Sequence, residues 1–308
     1  MPDSTDIYNP FEDLSGVSEK PSTVTAESSN PYDTLIATCK NAAEITKAYE
    51  IHRINRNKQQ SEKMLSKDFT GMIVDKTLQE FEHARTAELA GQPVHNPQEI
   101  GTKVCLTLWV RPTKQIKDLV KTIQDKLVDL APDFWCMSGE KLHMTALELS
   151  HSKPYELINT HVEILRPHLP EILSLQTRNR TVLVKPMVSF DAAAMAISFV
   201  PAEDCEYSCH HFRRDLHNMV VATGMEITSR YVLPSAHITI GRFITAKNHY
   251  PTEGGVSIEK WLERIAEINK WLENVQVRWT VGEEAGMVCQ SGKLWYGDGE
   301  TVMVGEGF

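Results

Sequence analysis

The tripeptide His-x-Thr occurs twice in this chain, each time inside a segment with the composition of a β-strand. The first copy covers residues 143–145 and the second covers residues 237–239. Because successive side chains on a strand point to opposite faces, residues two apart share a face. Each copy therefore places an imidazole next to a hydroxyl on one surface of a sheet. A fold that brings the two surfaces together would hold an acid, a base and two hydroxyl donors in one cleft.

The same order of predicted elements surrounds each copy. The first unit has a strand at 104–110, a helix at 116–130, the motif strand at 142–149, a helix at 154–173 and a strand at 181–190. The second has a strand at 195–200, a helix at 209–223, the motif strand at 236–241, a helix from 257 and a strand at 275–281. Two β-α-β-α-β units of this kind indicate an internal repeat.

The repeat predicts an α/β protein with two pseudo-symmetric lobes. Each lobe is a mainly antiparallel sheet with two helices, and the His-x-Thr motifs lie on facing central strands. We expect the first lobe to span about 99–192 and the second about 193–308. Alternating apolar residues after Gly286, broken by glycine turns, predict a terminal antiparallel meander that completes the second sheet.

The overall charge favours a small ligand over a long nucleic acid. The net charge is −9 and the isoelectric point is near 5.8, whereas proteins that bind long RNA usually carry a basic surface. A small nucleotide or other small ester is therefore the expected partner. A local basic funnel is an alternative, but most of the basic side chains in the repeat region are expected to be solvated surface charges: Arg178, Arg180, Lys185, Arg213 and Arg214.

Cysteine usage and motif searches predict no cofactor and no metal. The 6 Cys show no disulfide framework. The set Cys205, Cys209, His210 and His211 lacks the second ligand pair of a zinc finger. No glycine-rich phosphate loop is present, which argues against ATP- or NAD-driven chemistry.

The sequence has no signal-like start and no apolar run of membrane-spanning length, so we expect a cytoplasmic protein without membrane contact, with a nuclear setting as the alternative.

The first 98 residues fall into two predicted parts. Residues 1–30 are rich in Ser, Thr, Pro and acidic groups, which predicts a disordered or draped tail. Residues 31–98 show helical spacing and include a charged patch at 53–63. We expect a helical extension packed on the lobes. The alternative is a lid that shapes the substrate site or a surface for a protein partner.

Residues 100–308 resemble the 2H phosphoesterase superfamily, the two-histidine fold of cyclic nucleotide phosphodiesterases and so-called RNA 2′,5′-ligases. The family pattern, His-x-Thr/Ser followed by an often apolar residue, is matched at 143–146 and 237–240. More narrowly, residues 142–148 and 230–239 look like a fungal branch described as RNA ligase/cyclic nucleotide phosphodiesterase. The N-terminal segment is the departure, because the small bacterial and plant members lack it.

The resemblance implies a phosphodiesterase that hydrolyses a 2′,3′-cyclic nucleotide or a cyclic-phosphate RNA end without a metal. His143 and His237 would be the catalytic acid and base, and Thr145 and Thr239 would bind the phosphate. Histidine suits both proton transfers because its ordinary pKa lies near neutral pH, and an acid–base pair predicts a bell-shaped pH–rate profile. The sequence leaves open which histidine is the base, the 2′ or 3′ regiochemistry, the natural substrate, the oligomeric state and the role of residues 1–98.

A nucleobase would stack on an aromatic side chain, and Tyr231, shortly before His237, is the selected substrate-binding candidate. Aromatic side chains in strands more often pack in a hydrophobic core than bind a ligand. Tyr231 is chosen from six aromatic candidates: Trp109, Trp135, Tyr231, Phe243, Trp295 and Tyr296. Regular alternation along the second motif strand would turn Arg242 away from His237, so Arg242 is not expected in the site.

Two other functions remain as alternatives. The two-histidine pocket would serve acid–base chemistry on a small non-phosphate metabolite if the cleft were apolar and poor in hydrogen-bond donors. A non-catalytic nucleotide-binding or scaffold protein would instead act through the helical extension.

Overall fold

The computed structural model describes residues 13–16, 30–92, 103–227, 232–245 and 256–308 of the 308-residue chain. The helices are α1 (Asp33–Thr38), α2 (Ala42–Met64), α3 (Lys76–Leu89), α4 (Lys114–Leu130), α5 (Tyr155–Leu165), α6 (Leu169–Ile172), α7 (Leu175–Arg178), α8 (Cys209–Val221) and α9 (Ile258–Leu272). The strands are β1 (Lys103–Val110), β2 (Phe134–Cys136), β3 (Met144–Pro154), β4 (Val182–Phe190), β5 (Ala194–Pro201), β6 (Ala236–Phe243), β7 (Arg278–Thr280), β8 (Met287–Gly292) and β9 (Glu300–Val304). Most of the predicted tail, 1–30, lies outside the described residues, as does Tyr231.

The described strands form one sheet in the order β7-β4-β5-β6-β3-β1-β8-β9, with β2 beside β6. The recorded strand pairings are antiparallel. The prediction of a mixed α/β protein with a mainly antiparallel sheet is therefore confirmed. We refer to β3-β1-β8-β9 as the first half of the sheet and to β7-β4-β5-β6 as the second half. The two halves meet between the motif strands β3 and β6.

Three strands, β4, β8 and β9, pair differently from the predicted division into lobes. The meander β8–β9 joins β1 in the first half, so its predicted place in the second sheet was wrong. Residues 287–291 of β8 are buried without alternation, so β8 lies where both faces of the sheet are covered. Strand β4 pairs with β5, because Asp191 Oδ1 accepts hydrogen bonds from the N–H groups of Ala193 (2.7 Å) and Ala194 (2.9 Å) and closes a tight hairpin. The predicted boundary at 192/193 falls in that turn.

Amphipathic helices cover the core side of the sheet. In α4 the side chains of Ile116, Val120, Ile123 and Leu127 are fully buried, at the spacing of one helix face. Burying such a side chain stabilises the fold by about 1.5–3 kcal/mol. The predicted helix at 154–173 is instead two helices, α5 and α6, because Pro167 has no N–H to continue the hydrogen-bond ladder.

The helical extension packs on the second half of the sheet. Helix α2 begins at an Asn41 side-chain cap and runs beside β4 and β5. Arg53 Nη1 donates to the Ser198 carbonyl (3.3 Å), and Asn57 Nδ2 donates to the Val188 carbonyl (2.9 Å). The buried Tyr49 hydroxyl pairs with His210 Nδ1 of α8 at 3.1 Å. The extension is therefore an integral layer of the fold on this side.

Beyond α2 the chain crosses the ends of the strands toward the first half. The Ile73 N–H donates to the Ala192 carbonyl, and the Asp75 N–H donates to the Phe243 carbonyl, both at 2.8 Å. Helix α3 follows, capped by the Asp75 side chain. None of the helices in the described ranges has the length and apolar character needed to cross a bilayer.

Candidate active site

The strand register brings the two motifs together on one face of the sheet. Met144 of β3 pairs with Ile238 of β6, and both side chains are fully buried on the opposite face. In an antiparallel pair the residues that flank this pair face each other. The register therefore sets His143 opposite Thr239, and Thr145 opposite His237. All four side chains are partly exposed, unlike the pair between them.

His143 is held by a ring and a backbone carbonyl. Its imidazole stacks on the Trp109 indole, with ring centroids 3.8 Å apart and planes at 17°. Nδ1 lies 2.8 Å from the Lys141 carbonyl oxygen, which only accepts hydrogen bonds, so Nδ1 carries the proton. Nε2 is then the atom left for chemistry. Trp109 itself is buried, with the Arg111 guanidinium carbon 5.0 Å from its ring.

His237 is held by a hydroxyl and surrounded by cations. Its Nδ1 lies 3.1 Å from the Ser235 hydroxyl, which is able to donate or to accept. The positive charges of Arg213 and Arg56 disfavour a proton on this imidazole, and the imidazole of His143 acts in the same direction.

Burial is the largest cause that lowers the pKa of both histidines to about 4. For His143, the hydrogen bond to Lys141 opposes this shift and the charge of Arg111 adds to it. For His237, the neighbouring charges, Arg213 first, all lower the pKa further. Both imidazoles are therefore neutral at pH 7 in the free protein. A bound anion would raise the pKa of the imidazole beside it.

A buried arginine on α8 ties the two motif strands together. The Arg213 guanidinium donates to the carbonyls of Thr145 (3.0 Å), Ala146 (3.0 Å) and Ser235 (2.7 Å). It therefore fixes β3 against the segment that leads into β6. Arg213 is only 2% exposed, so it is an exception to the expectation that most basic side chains of the repeat region are solvated surface charges. The guanidinium is buried because it satisfies backbone carbonyls of both strands.

A cavity of about 270 Å³ adjoins the second motif. It is lined by His237 and Thr239 of β6, by residues of β4, β5 and their hairpin turn, and by three residues of α2: His52, Arg53 and Arg56. Its lining includes three arginines, Arg53, Arg56 and Arg242, against one carboxylate, Asp191. His143 and Thr145 lie on the neighbouring strand and do not line this cavity. The cavity is thus cationic in a protein whose net charge is −9.

Arg242 belongs to this site, contrary to the prediction from regular alternation. The register between β5 and β6 shifts because Met195 pairs with Gly241 while Ala196 pairs with Thr239, which leaves Ile240 as an extra residue. Such a bulge reverses the faces beyond it, so Arg242 shares the cavity with Thr239. Gly241 is required there, because a Cβ would collide with the Phe134 ring. A glycine inside a strand was the available sequence signal.

Four of the six stacking candidates have other contacts in the structure. Tyr231 lies outside the described residues, so the structure says nothing of its predicted contact with substrate. Trp109 packs under His143, and Phe243 is buried in the core. Trp135 donates from Nε1 to Glu82 (3.1 Å), and the Tyr296 hydroxyl donates to Asp75 (2.7 Å).

The residues considered for zinc serve the fold instead. His210 bonds the Tyr49 hydroxyl, and His211 completes the cap of α8 with Ser208. Cys209 is fully buried. Within the described ranges, no group of three or more His, Cys, Asp or Glu side chains is arranged to hold a metal ion.

Sequence reasoning missed the contribution of α2 to the site. His52 and Arg56 are four residues apart and therefore share a helix face, one turn beyond the buried Tyr49. That spacing, at the start of the charged patch at 53–63, was a usable signal, but it does not tell which sheet face the helix covers.

Comparison with known proteins leaves the family open. The sequence matches no family model and no curated protein. Among solved structures, it is similar to the crystal structure of TT0787 of Thermus thermophilus, at 14% identity and a TM-score of 0.35. That similarity covers 60% of this chain and 87% of the other.

Proposed function

We propose that the protein is a 2H-type phosphodiesterase that hydrolyses a cyclic phosphodiester on a ribose by two-histidine acid–base catalysis. The observation that carries the proposal is the register of β3 and β6, which sets each motif histidine opposite the other motif's threonine. An acid, a base and two hydroxyl donors are the set that such a reaction needs. The proposed chemistry requires no metal, because these four side chains supply every proton transfer and contact with the phosphate.

The surroundings favour His237 as the base and His143 as the acid. The cations near His237 disfavour its protonated form, so it is suited to take a proton from water as the water oxygen attacks phosphorus. The Lys141 carbonyl favours protonated His143, which then gives its Nε2 proton to the ribose oxygen as the P–O bond breaks. The negative charge of the bound substrate raises the pKa of His143, which takes its second proton from solvent before the reaction. Thr145 and Thr239 donate to the non-bridging oxygens, where negative charge develops.

The cavity also favours a phosphate ester over the non-phosphate alternative. That alternative calls for an apolar cleft poor in donors, whereas Arg53, Arg56 and Arg242 line this one. The volume of about 270 Å³ is near the lower end of small-molecule pockets, about 300 Å³, which fits a nucleotide better than a long RNA.

The test is turnover of 2′,3′-cyclic AMP, cyclic-ended RNA oligomers and 2′,5′-linked dinucleotides by the full chain. We expect His143→Ala and His237→Ala each to lower kcat/KM by about 100- to 10,000-fold, because each removes one proton-transfer group. His168→Ala, an exposed histidine before α6, is the matched control. A motif variant that keeps a tenth of wild-type activity overturns the assignment. A wild-type protein that binds these ligands without turnover supports the non-catalytic alternative instead.

A further inference from the structure

The cavity beside the second motif holds more positive charge than one cyclic phosphodiester needs. Such a diester carries a single negative charge, and Thr145, Thr239 and the histidines already lie where its oxygens would be bound. Of the three lining arginines, Arg53 is committed to the fold, because Nη1 donates to the carbonyls of Lys185 (2.6 Å) and Ser198 (3.3 Å). Arg56 and Arg242 face the cavity from two different elements, α2 and β6.

Each of these two arginines lies near a carboxylate, and the contact of Arg242 is long. Arg56 Nη2 lies 4.0 Å from Asp191 Oδ2, and Arg242 Nη1 lies 3.4 Å from Asp75 Oδ2. Charge-assisted hydrogen bonds are shorter than the Arg242 contact, at about 2.7–2.9 Å. Both carboxylates also serve other groups, since Asp191 closes the β4–β5 turn and Asp75 accepts from the Tyr296 hydroxyl.

Arg242 has unused hydrogen-bonding capacity in the described part of the chain. Its Nε is buried there without a hydrogen-bond partner. A guanidinium with a buried unsatisfied donor is costly unless a ligand supplies an acceptor. A phosphate oxygen is such an acceptor, and arginine binds phosphate through two parallel N–H groups.

We infer that Arg56 and Arg242 form a subsite for a second phosphate, so that the preferred substrate is a cyclic nucleotide with a further phosphate group. This inference rests on the proposed function, because it takes the motif face as the place of the reacting phosphate. The further phosphate is either the 5′-phosphate of a mononucleotide or the next phosphodiester of a short oligonucleotide. The helical extension then selects the substrate through Arg56 as well as packing on the sheet.

Binding to the full chain tests the subsite, with calorimetry as the readout. The His143→Ala background is used so that bound ligand persists. The probes are adenosine 2′,3′-cyclic phosphate with and without a 5′-phosphate. We expect the 5′-phosphorylated probe to bind about 10- to 100-fold more tightly, the range for hydrogen bonds to a charged group. Arg56→Gln should reduce that preference to within about threefold.

Two further variants separate ligand binding from a purely structural role of Arg56. Lys58→Gln removes the same charge from an exposed position of α2 and should keep the preference. Asp191→Asn keeps the Oδ1 acceptor of the turn but removes the competing charge beside Arg56, so it should increase the preference. If Arg56 only anchors α2 through Asp191, both Arg56→Gln and Asp191→Asn will instead weaken both probes equally and lower the unfolding temperature. That result overturns the inference.

A third probe distinguishes the two sources of phosphate, and turnover separates the two proposals. A dinucleotide with a cyclic phosphate end should bind as tightly as the 5′-phosphorylated mononucleotide if the subsite takes the next phosphodiester. Equal binding of all three probes overturns the subsite. Turnover of the unphosphorylated probe that depends on both motif histidines would then still support the phosphodiesterase. If the wild-type protein turns over none of the probes but the tighter binding of the 5′-phosphorylated probe persists, the catalytic proposal alone is overturned.

Discussion

His143 and His237 occupy corresponding positions in the two halves of the sheet, but different neighbours hold them. His143 stacks on Trp109 and binds a backbone carbonyl, so both its ring plane and its proton position are set by groups that cannot ionise. The Nδ1 of His237 lies near the Ser235 hydroxyl, and the positive charges of Arg213 and of Arg56, which belongs to α2, act on its imidazole. Under the proposed function, these different neighbours give the two copies of the motif different roles, as base and as acid. The strand repeat places both imidazoles, and the unrepeated elements around them set their preferred charge.

After the loss of a motif histidine itself, the largest expected effect tests whether the two halves contribute equally to phosphate binding. Thr145→Val and Thr239→Val remove one hydroxyl each and keep the side-chain shape. We expect kcat on 2′,3′-cyclic AMP to fall by about 100- to 1,000-fold in each, because a donor to the developing charge is lost. Thr160→Val, on the exposed side of α5, is the control. If one motif variant keeps more than half of wild-type kcat, the hydroxyl of that half does not contact the phosphate.

An intermediate effect is expected at the groups that position the two histidines. Trp109→Leu removes the ring under His143 and should lower kcat by about 10- to 100-fold, since a small displacement of a catalytic group is costly. Ser235→Ala removes one hydrogen bond at His237 and should lower kcat by about three- to tenfold.

The split between kcat and KM shows whether these residues act through the histidines. We expect KM to stay nearly constant in both variants, and Trp109→Phe to recover most of the activity because it restores an aromatic face. Trp271→Leu, on α9, controls for general destabilisation. A Trp109→Phe protein as impaired as Trp109→Leu would argue that the indole serves only the core.

The smallest effect concerns the link between the extension and the second half. Burial lowers the pKa of His210 to about 3, below the value of about 6.5 in an unfolded chain. The unfolded state therefore binds a proton that the folded state excludes. The stability contributed by neutral His210 is complete above about pH 6.5 and is lost as the pH falls toward 3, by at most about 1.4 kcal/mol per pH unit.

Denaturant unfolding between pH 7 and pH 4 checks this dependence. His210→Gln should flatten the loss of stability on acidification relative to wild type, because glutamine does not titrate. His168→Gln changes an exposed histidine and should leave the slope unchanged. Equal slopes for wild type and His210→Gln would show that the extension does not depend on a neutral His210.

The mixed α/β class and the central place of both motif strands were predictable, because apolar periodicity and strand alternation are local properties. The face shared by His143 and Thr145 followed from the same alternation. Arg242 was assigned to the wrong face because a one-residue bulge depends on how Phe134 packs against Gly241, a contact between distant segments. The buried role of Arg213 was not predictable for the same kind of reason, since its partners are carbonyls of distant segments.

The sequence by itself determined that an imidazole and a hydroxyl would share one face of each motif strand, because alternation along a strand depends only on neighbouring residues. Only the tertiary structure decided that β8 and β9 join the first half, that α2 brings Arg56 to the cavity, and that the register of β3 and β6 sets each histidine across from a threonine. These outcomes depend on which strand edges pair and which helix faces pack against the sheet. Pairing between distant segments is selected by the packing of the whole chain, and local patterns do not encode it.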